Sequence, residues 1–278
     1  MDISDQIIRV LIASAVQIGI GAMVLFSVLW LANAIQGFTF RAMTSAIGLR
    51  PLVYSTGWIG TTVHEFSHLV VLLVFRIKVV AFKPFSPDFE NEHLGYVISE
   101  PDPGNPFHWL GFFLAGIAPI FGGVSLILLS AYLLLPDLDR VVSETVIASI
   151  DKEIVSVHGH LLIVAEATYD GIRLLFDSSN LGRWQFWVFL YFASCVFCHF
   201  APSRQDLHGI GRGLTVLMIL VLVGNTAAAC LWFDPVGYTL YWSRYLGVVL
   251  SLLGVAFGIS LAHCFVTCVA AIPFRVFR

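Results

Sequence analysis

The chain has 278 residues, of which 58% are hydrophobic and 12% are charged, and its formal net charge is −3 at pH 7. A soluble domain carries about a quarter charged residues, so this chain lacks the polar surface that keeps a protein in water. Its few charges form neither a basic block nor an acidic tail. The lack of a basic block argues against nucleic acid as a partner. The composition therefore predicts a membrane protein whose surroundings are the lipid bilayer.

Six apolar runs approach or exceed the roughly 20 residues that a transmembrane helix needs. In chain order they are Val10–Ala34, Pro51–Phe75, His108–Leu135, Trp184–Phe200, His208–Phe233 and Tyr238–Pro273. The residues before the first run are acidic rather than basic, so we expect a retained anchor and not a secretory signal. Basic residues divide almost evenly between the two sets of connections, and the small excess favours cytoplasmic termini.

Two polar connections interrupt these runs. The first, Lys78–Phe107, contains two short apolar runs, Val79–Phe82 and Gly95–Ile98, on either side of turn-forming residues. That pattern predicts a β-hairpin. The second, Pro136–Arg183, has apolar residues at helical spacing, which predicts one or two amphipathic helices that lie on the bilayer or cap the bundle.

The predicted fold is therefore an all-α polytopic membrane protein with about six transmembrane helices. A small β-hairpin follows the second helix, and an amphipathic helical insertion lies between the third and the fourth. Residues 1–50 form an N-terminal helix and connection, residues 51–213 a membrane core with the 78–107 hairpin and the 136–183 insertion, and residues 214–278 the C-terminal helices.

The second run carries the pentapeptide HEFSH, His64–His68. Histidines four positions apart lie on one helical face, so both imidazoles can reach a single metal ion. Glu65 lies beside them, where a carboxylate can take a proton from a water activated by the metal. Ionisable groups in a membrane helix are costly to bury and are usually functional. The alternative is that the histidines hydrogen-bond to neighbouring helices while Glu65 faces a polar crevice.

Two histidines do not complete a catalytic zinc site, which generally has three protein ligands and one open position. Asp206 is the best candidate for the third ligand, because it lies in a segment, Ala201–Gly213, where a proline and several glycines interrupt the apolar pattern. Interrupted backbone at membrane depth occurs only where it lines a cavity or is buried in protein. His208 is the nearest rival ligand, and the alternative for Asp206 is a loop residue paired with Arg204 or Arg212.

These residues resemble the site-2 protease family of intramembrane zinc metalloproteases. His64–His68 matches the zinc-binding helix of that family. Asp206, followed by Gly209 and Arg212, resembles its aspartate-glycine motif on a later helix, which supplies the third ligand. The resemblance covers about Pro51–Gly213.

Two further segments resemble the family, and two depart from it. Ala115–Pro119 resembles the small-residue and proline segment of the intervening helix, and Gly95–Val97 resembles the glycine-led strand that follows the zinc helix. The family often has an asparagine where this chain has Phe121–Gly123. It also has an asparagine-proline pair before the aspartate, where this chain has Ala201–Arg204. Those polar groups are thought to hold the substrate backbone.

The resemblance implies a zinc metalloendopeptidase that hydrolyses peptide bonds in or near the transmembrane segments of other membrane proteins. One Zn²⁺ per chain would be held by His64, His68 and Asp206, and Glu65 would transfer the proton. The substrate would be a transmembrane helix, which must unwind locally before water can attack its backbone. A bacterial cytoplasmic membrane is the expected location.

Two readings from other functional classes stay open. One is a catalytically silent relative that binds membrane proteins; the departures from the family motivate it, and the retained Glu65 argues against it. The other is a transporter that uses the histidines as an ion site. Transporters typically have paired halves with matching broken helices, whereas only one half of this chain carries the ionisable cluster.

Other histidines and cysteines are assigned structural roles at this stage. Cys195–His199 has the spacing of a c-type haem attachment site, but it lies in an apolar run, and we interpret it as the packed interior of a helix. The remaining histidines are interpreted as loop or interfacial residues: His93, His108, His158, His160 and His263.

Overall fold

The computed structural model describes residues 3–135 apart from 92, residues 177–235 apart from 204 and 209, and scattered positions in the remainder. The described chain is mostly helical and contains one small antiparallel sheet. The elements in chain order are α1 (Ile3–Ile47), α2 (Leu49–Leu52), a π-helical turn (Val53–Gly57), α3 (Trp58–Val74), β1 (Lys78–Lys83), β2 (Tyr96–Glu100), α4 (Pro106–Leu134), α5 (Ser178–Leu181), α6 (Trp184–Phe197) and α7 (Ile210–Cys230).

Among the described residues, four helices are long and apolar enough to cross a membrane. They are Ser4–Ile47, Leu49–Val74, Pro106–Leu134 and Ile210–Cys230. The prediction of a membrane protein is confirmed at this level, and these helices contain or overlap the first, second, third and fifth predicted runs. The six-helix arrangement stays a prediction, because Tyr238–Pro273 and the insertion Pro136–Arg183 lie largely outside the described residues.

The fourth predicted run, Trp184–Phe200, forms a shorter helix than expected. Helix α6 ends at Phe197 after 14 residues. At 1.5 Å per residue it is about 21 Å long, which is less than the roughly 30 Å thickness of the hydrocarbon core. The described residues between Phe197 and Ile210, where α7 begins, are not helical. The break predicted around Pro202 therefore exists, and it begins one turn earlier than the apolar run suggested.

Helix α4 lies at the centre of the bundle, where it packs against α3, α6 and α7. Phe113, Ile120 and Ile127 recur at seven-residue spacing along its buried face, and they belong to one apolar cluster with Phe186 and Phe189 of α6. Side chains seven positions apart share a helical face, so this face of α4 forms the core of the protein.

Glycines bring the central helices together. A Cβ atom at Gly60 of α3 would overlap the carbonyl oxygen of Cys195 in α6, and one at Gly213 of α7 would overlap the carbonyl oxygen of Trp109 in α4. Small residues allow close backbone approach, which is the usual basis of helix packing in membranes. The contact at Gly60 fixes α3 against the end of α6, directly beside the candidate site.

The predicted hairpin is confirmed as an antiparallel pair of β1 and β2. Lys78 pairs with Glu100 and Phe82 pairs with Val97, and the register shifts between Val79 and Ala81. A bulge of this kind bends a strand and increases its twist. The bent hairpin packs against α3, so β2 lies close to the HEFSH residues.

Candidate metal centre

His64, His68 and Asp206 converge at one point between α3 and the segment that follows α6. The Nε2 atom of His64 lies 3.3 Å from Oδ2 of Asp206, and the Nε2 atom of His68 lies 3.1 Å from Oδ1. One ligand atom from each residue can be chosen so that all three lie within 4.8 Å of one another. Within the described chain, this group of three could hold a metal ion.

The second ring nitrogen of each histidine is bonded to backbone. Nδ1 of His64 donates to the carbonyl oxygen of His199 over 2.7 Å, and Nδ1 of His68 donates to the carbonyl oxygen of Ala115 over 2.8 Å. A carbonyl oxygen can only accept, so both Nδ1 atoms carry a proton. In a neutral imidazole the other nitrogen, Nε2, then presents a lone pair. Both lone pairs point toward the carboxylate of Asp206.

This arrangement fits a bound cation. Two lone pairs and a carboxylate are all acceptors, and they repel one another in a buried site unless a positive charge lies between them. The Nε2 atom of His68 is fully buried and makes no hydrogen bond among the described residues. Metal-binding histidines commonly donate their second N–H to a backbone carbonyl, as both histidines do here. Two imidazoles and a carboxylate suit several divalent metals.

A local turn holds Asp206 in place. The backbone N–H of Ser203 donates to Oδ2 of Asp206 over 2.6 Å, and the backbone N–H of Asp206 donates to Oγ of Ser203 over 3.2 Å. Helix α1 holds this turn in place, because the backbone N–H of Ala201 donates to Oε1 of Gln36 over 2.6 Å. The carboxylate is therefore oriented before any ligand binds.

The sequence left open His208 as a rival ligand and Arg204 or Arg212 as ion-pair partners of Asp206. His208 is exposed, and it does not join the group of three. Arg212 lies over the ring of Trp109, at 4.5 Å from the ring centroid, and the described side chains that approach the Asp206 carboxylate are the imidazoles of His64 and His68. The other proposed partner, residue 204, lies outside the described residues.

Glu65 is buried and lies on the same cavity as the three candidate ligands. The cavity has a volume of about 850 Å³, and its walls include α3, β2 and the segment after α6. A Cβ atom at Gly95 would lie 2.9 Å from Cγ of Glu65, so only glycine leaves room for the glutamate at the start of the strand. The walls of the cavity include Tyr96–Ser99 of β2. A carboxylate, a possible metal site and a β-strand thus share one cavity.

Sequence reasoning missed the residues that hold the ligands. His199, interpreted as part of a helix interior, lies just beyond the end of α6, where its carbonyl group supports His64. Its ring in turn contacts the π-helical turn, because Nε2 of His199 lies 2.9 Å from Oγ1 of Thr56. Such turns are frequent at functional sites. The carbonyl group of Ala115 supports His68 in the same way. Here the sequence did carry a signal, because a proline four positions after Ala115 cannot donate an N–H to that carbonyl group.

Comparisons of the chain with protein-family models, with characterised proteins and with solved structures find no match.

Proposed function

We propose that this protein is an intramembrane metalloprotease that hydrolyses peptide bonds of transmembrane or membrane-proximal segments. The observation that carries the proposal is the convergence of His64, His68 and Asp206 beside Glu65 on one cavity among membrane helices. The resemblance of these residues to the site-2 protease family supports the same conclusion. We further propose that the protein resides in a bacterial cytoplasmic membrane and acts on membrane proteins that contain a transmembrane helix.

We propose zinc as the metal, in keeping with the family resemblance, although two imidazoles and a carboxylate also suit other divalent metals. Imidazole nitrogens and carboxylate oxygens are ligands that zinc takes in proteins. One such atom from each of the three residues can be chosen so that all three lie within 4.8 Å of one another. Three protein ligands also leave the open fourth position that is typical of catalytic sites. When bound, zinc supplies a Lewis acid that polarises a carbonyl group and makes water more acidic.

Glu65 is proposed as the residue that moves the proton. Its carboxylate lies on the cavity but is not among the three candidate ligands, so it is free to accept a proton from the attacking water. The same group then returns the proton to the amine that leaves when the peptide bond breaks. Burial keeps bulk water from this exchange.

The hairpin is proposed to hold the substrate. A transmembrane helix has its carbonyl groups hydrogen-bonded, so the segment to be cut must first become extended. Residues 96–99 of β2 line the cavity, and β2 pairs with β1 along one edge only within the described sheet. An extended chain can add to a free strand edge through backbone hydrogen bonds. Such pairing would fix the orientation of the scissile bond.

A comparison of the wild type with Glu65→Gln tests the proposal without a known substrate. Both proteins are produced in the membranes of an expression host, and new N termini are mapped by mass spectrometry. We expect the wild type to generate N termini in or near transmembrane segments, and Glu65→Gln to lower their yield by about 100-fold or more, the usual contribution of a general base. The metal content of the variant should stay unchanged, because Glu65 is not a ligand.

Glu90→Gln is the matched control, since Glu90 is an exposed glutamate in the hairpin loop. It should leave both the termini and the metal content unchanged. Identical termini from the wild type and Glu65→Gln, with metal bound to both, would contradict the proposed function.

One observation favours the second candidate, a catalytically silent relative that binds membrane proteins. The family often has an asparagine in the segment where this chain has Phe121–Gly123. A Cβ atom at Gly122 would overlap the side chain of Ser67, so Gly122 allows α4 to pack closely on α3. The same experiment separates the two candidates, because a silent relative would generate no new termini in either form.

A further inference from the structure

We propose that Pro119 is a positioning residue for His68, an inference that rests on the metal site of the proposed function. Pro119 lies inside α4 and has no backbone N–H. In an α-helix the carbonyl group of residue i accepts from the N–H of residue i+4. The partner of the Ala115 carbonyl group would be the N–H of residue 119, so the proline leaves this carbonyl group without a helical partner.

The imidazole of His68 occupies the vacant position. Its Nδ1 atom donates to the Ala115 carbonyl oxygen over 2.8 Å, and Ala115, Pro119 and His68 are all buried. A buried carbonyl group needs a donor. The proline thus creates an acceptor that no N–H of its own helix satisfies at the usual position, and the described bond to it comes from His68. His68 satisfies it and is thereby fixed in its tautomer and ring orientation.

Any other residue at position 119 would bring an N–H group into competition with His68. The helix would then close its own hydrogen bond, and Nδ1 of His68 would have to share the Ala115 oxygen with that N–H, which weakens the bond that orients the ring. Removal of the group that orients a metal-binding histidine typically costs about 10- to 100-fold in metal affinity. Pro119 itself does not line the site cavity, so its effect on the metal acts through Ala115 and His68.

Stability and metal affinity should change in different directions. Proline in a helix interior is unfavourable, and Pro119→Ala restores a backbone hydrogen bond. We therefore expect a melting temperature of the metal-free variant equal to or above that of the wild type. A residue with a merely structural role would lower the melting temperature and the affinity together.

The experiment measures the Zn²⁺ dissociation constant of the detergent-purified full chain by competition with a chromophoric chelator. Pro106→Ala is the matched control, because Pro106 begins α4, where a missing N–H has no helical partner. We expect binding about 10- to 100-fold weaker for Pro119→Ala, and no change for Pro106→Ala. With Co²⁺ in place of zinc, the visible absorption bands should also shift in Pro119→Ala, because the His68 ring is reoriented.

A folded Pro119→Ala variant with wild-type zinc affinity and cobalt spectrum would overturn the inference and leave the proposed function intact. If weaker binding is found while Glu65→Gln still generates N termini, the proposed function fails and the inference stands. If the variant does not fold, NMR of zinc-loaded wild type decides: slow exchange of the His68 Nδ1 proton with water supports the inference, and fast exchange overturns it.

Discussion

At the level of single residues, both histidines of the candidate metal centre donate to carbonyl groups that have no helical partner at the usual position. The carbonyl group of Ala115 is left free by Pro119. The carbonyl group of His199 is also free of a helical partner, because residue 202 is proline and the N–H of Ser203 donates to Asp206. In both cases an irregularity in one helix supplies the acceptor that orients a side chain on another.

Gly116 gives a direct test of how closely α4 supports the third ligand. A Cβ atom at this position would overlap the backbone carbonyl oxygen of Asp206, which cannot move aside as a flexible side chain can. We expect Gly116→Ala to displace Asp206 and to weaken zinc binding on the order of 10-fold, although alanine favours the helix itself. The measurement is the chelator competition described above.

Gly224→Ala in α7 is the control for that prediction, because a Cβ atom there meets nothing within 4 Å. It should leave zinc binding unchanged and stabilise the helix slightly. Equal zinc affinity for Gly116→Ala and the wild type would show that α4 does not set the position of Asp206.

At the level of secondary-structure elements, the loop between β1 and β2 docks on the π-helical turn that precedes α3. The rings of Phe85 and Phe89 lie 6.4 and 6.1 Å from the ring of Tyr54, which belongs to the π-helical turn. The loop closes on itself through backbone bonds between Asp88 and His93. Gly95, at the end of this loop, lies directly against Glu65, so the loop borders the proposed proton-transfer residue.

Phe85→Ala should loosen this loop without unfolding the sheet. An aromatic pair contributes about 0.5–1.5 kcal/mol, so local opening should become about 2- to 10-fold more frequent. Hydrogen–deuterium exchange should show faster exchange at the amides of Ser86, Asp88 and His93, with the amides of β1 and β2 unchanged.

The control for the loop prediction is Phe107→Ala, since Phe107 is 60% exposed at the start of α4. It should leave exchange in the loop unchanged. Uniformly faster exchange throughout the hairpin in Phe85→Ala would mean that the loop and the sheet open as one unit.

The elements differ in how far the sequence could predict them. The hairpin follows from short apolar runs around turn residues, and the HEFSH helix follows from its spacing, because both patterns are local. The end of α6 at Phe197 depends on tertiary contacts such as that of His199 with His64 and Thr56. No local pattern marks such contacts, so the apolar run suggested a longer helix.

The same distinction applies to the candidate site. His64, Glu65 and His68 could be found from one pentapeptide, and Asp206 could be found from the proline and glycines that interrupt the apolar pattern around it, with the family resemblance in support. The acceptors at Ala115 and His199 are backbone atoms, and a sequence motif records side chains. Their roles became visible only when α4 and α6 were placed beside α3.

At the level of the whole molecule, the site is built by helices that precede α3 in the sequence as well as by helices that follow it. Helix α1 contributes Gln36 to the cavity and is held against α7 by a polar cluster in which Asn225 donates to Ser14 over 2.9 Å and to Gln17 over 3.0 Å. Side-chain hydrogen bonds of this kind connect helices within membranes. Residues 1–50, predicted as an addition to the core, thus reach the candidate metal centre.

The measurement that tests the central claim most directly is the metal content of purified protein by mass spectrometry. The wild type is compared with His64→Ala, His68→Ala and Asp206→Ala, and His208→Ala serves as the control because His208 is exposed. We predict about one zinc per chain in the wild type and in His208→Ala, and its loss in the other three variants. A wild type that binds no metal when zinc is supplied, or zinc retained by Asp206→Ala and lost by His208→Ala, would contradict the site described here.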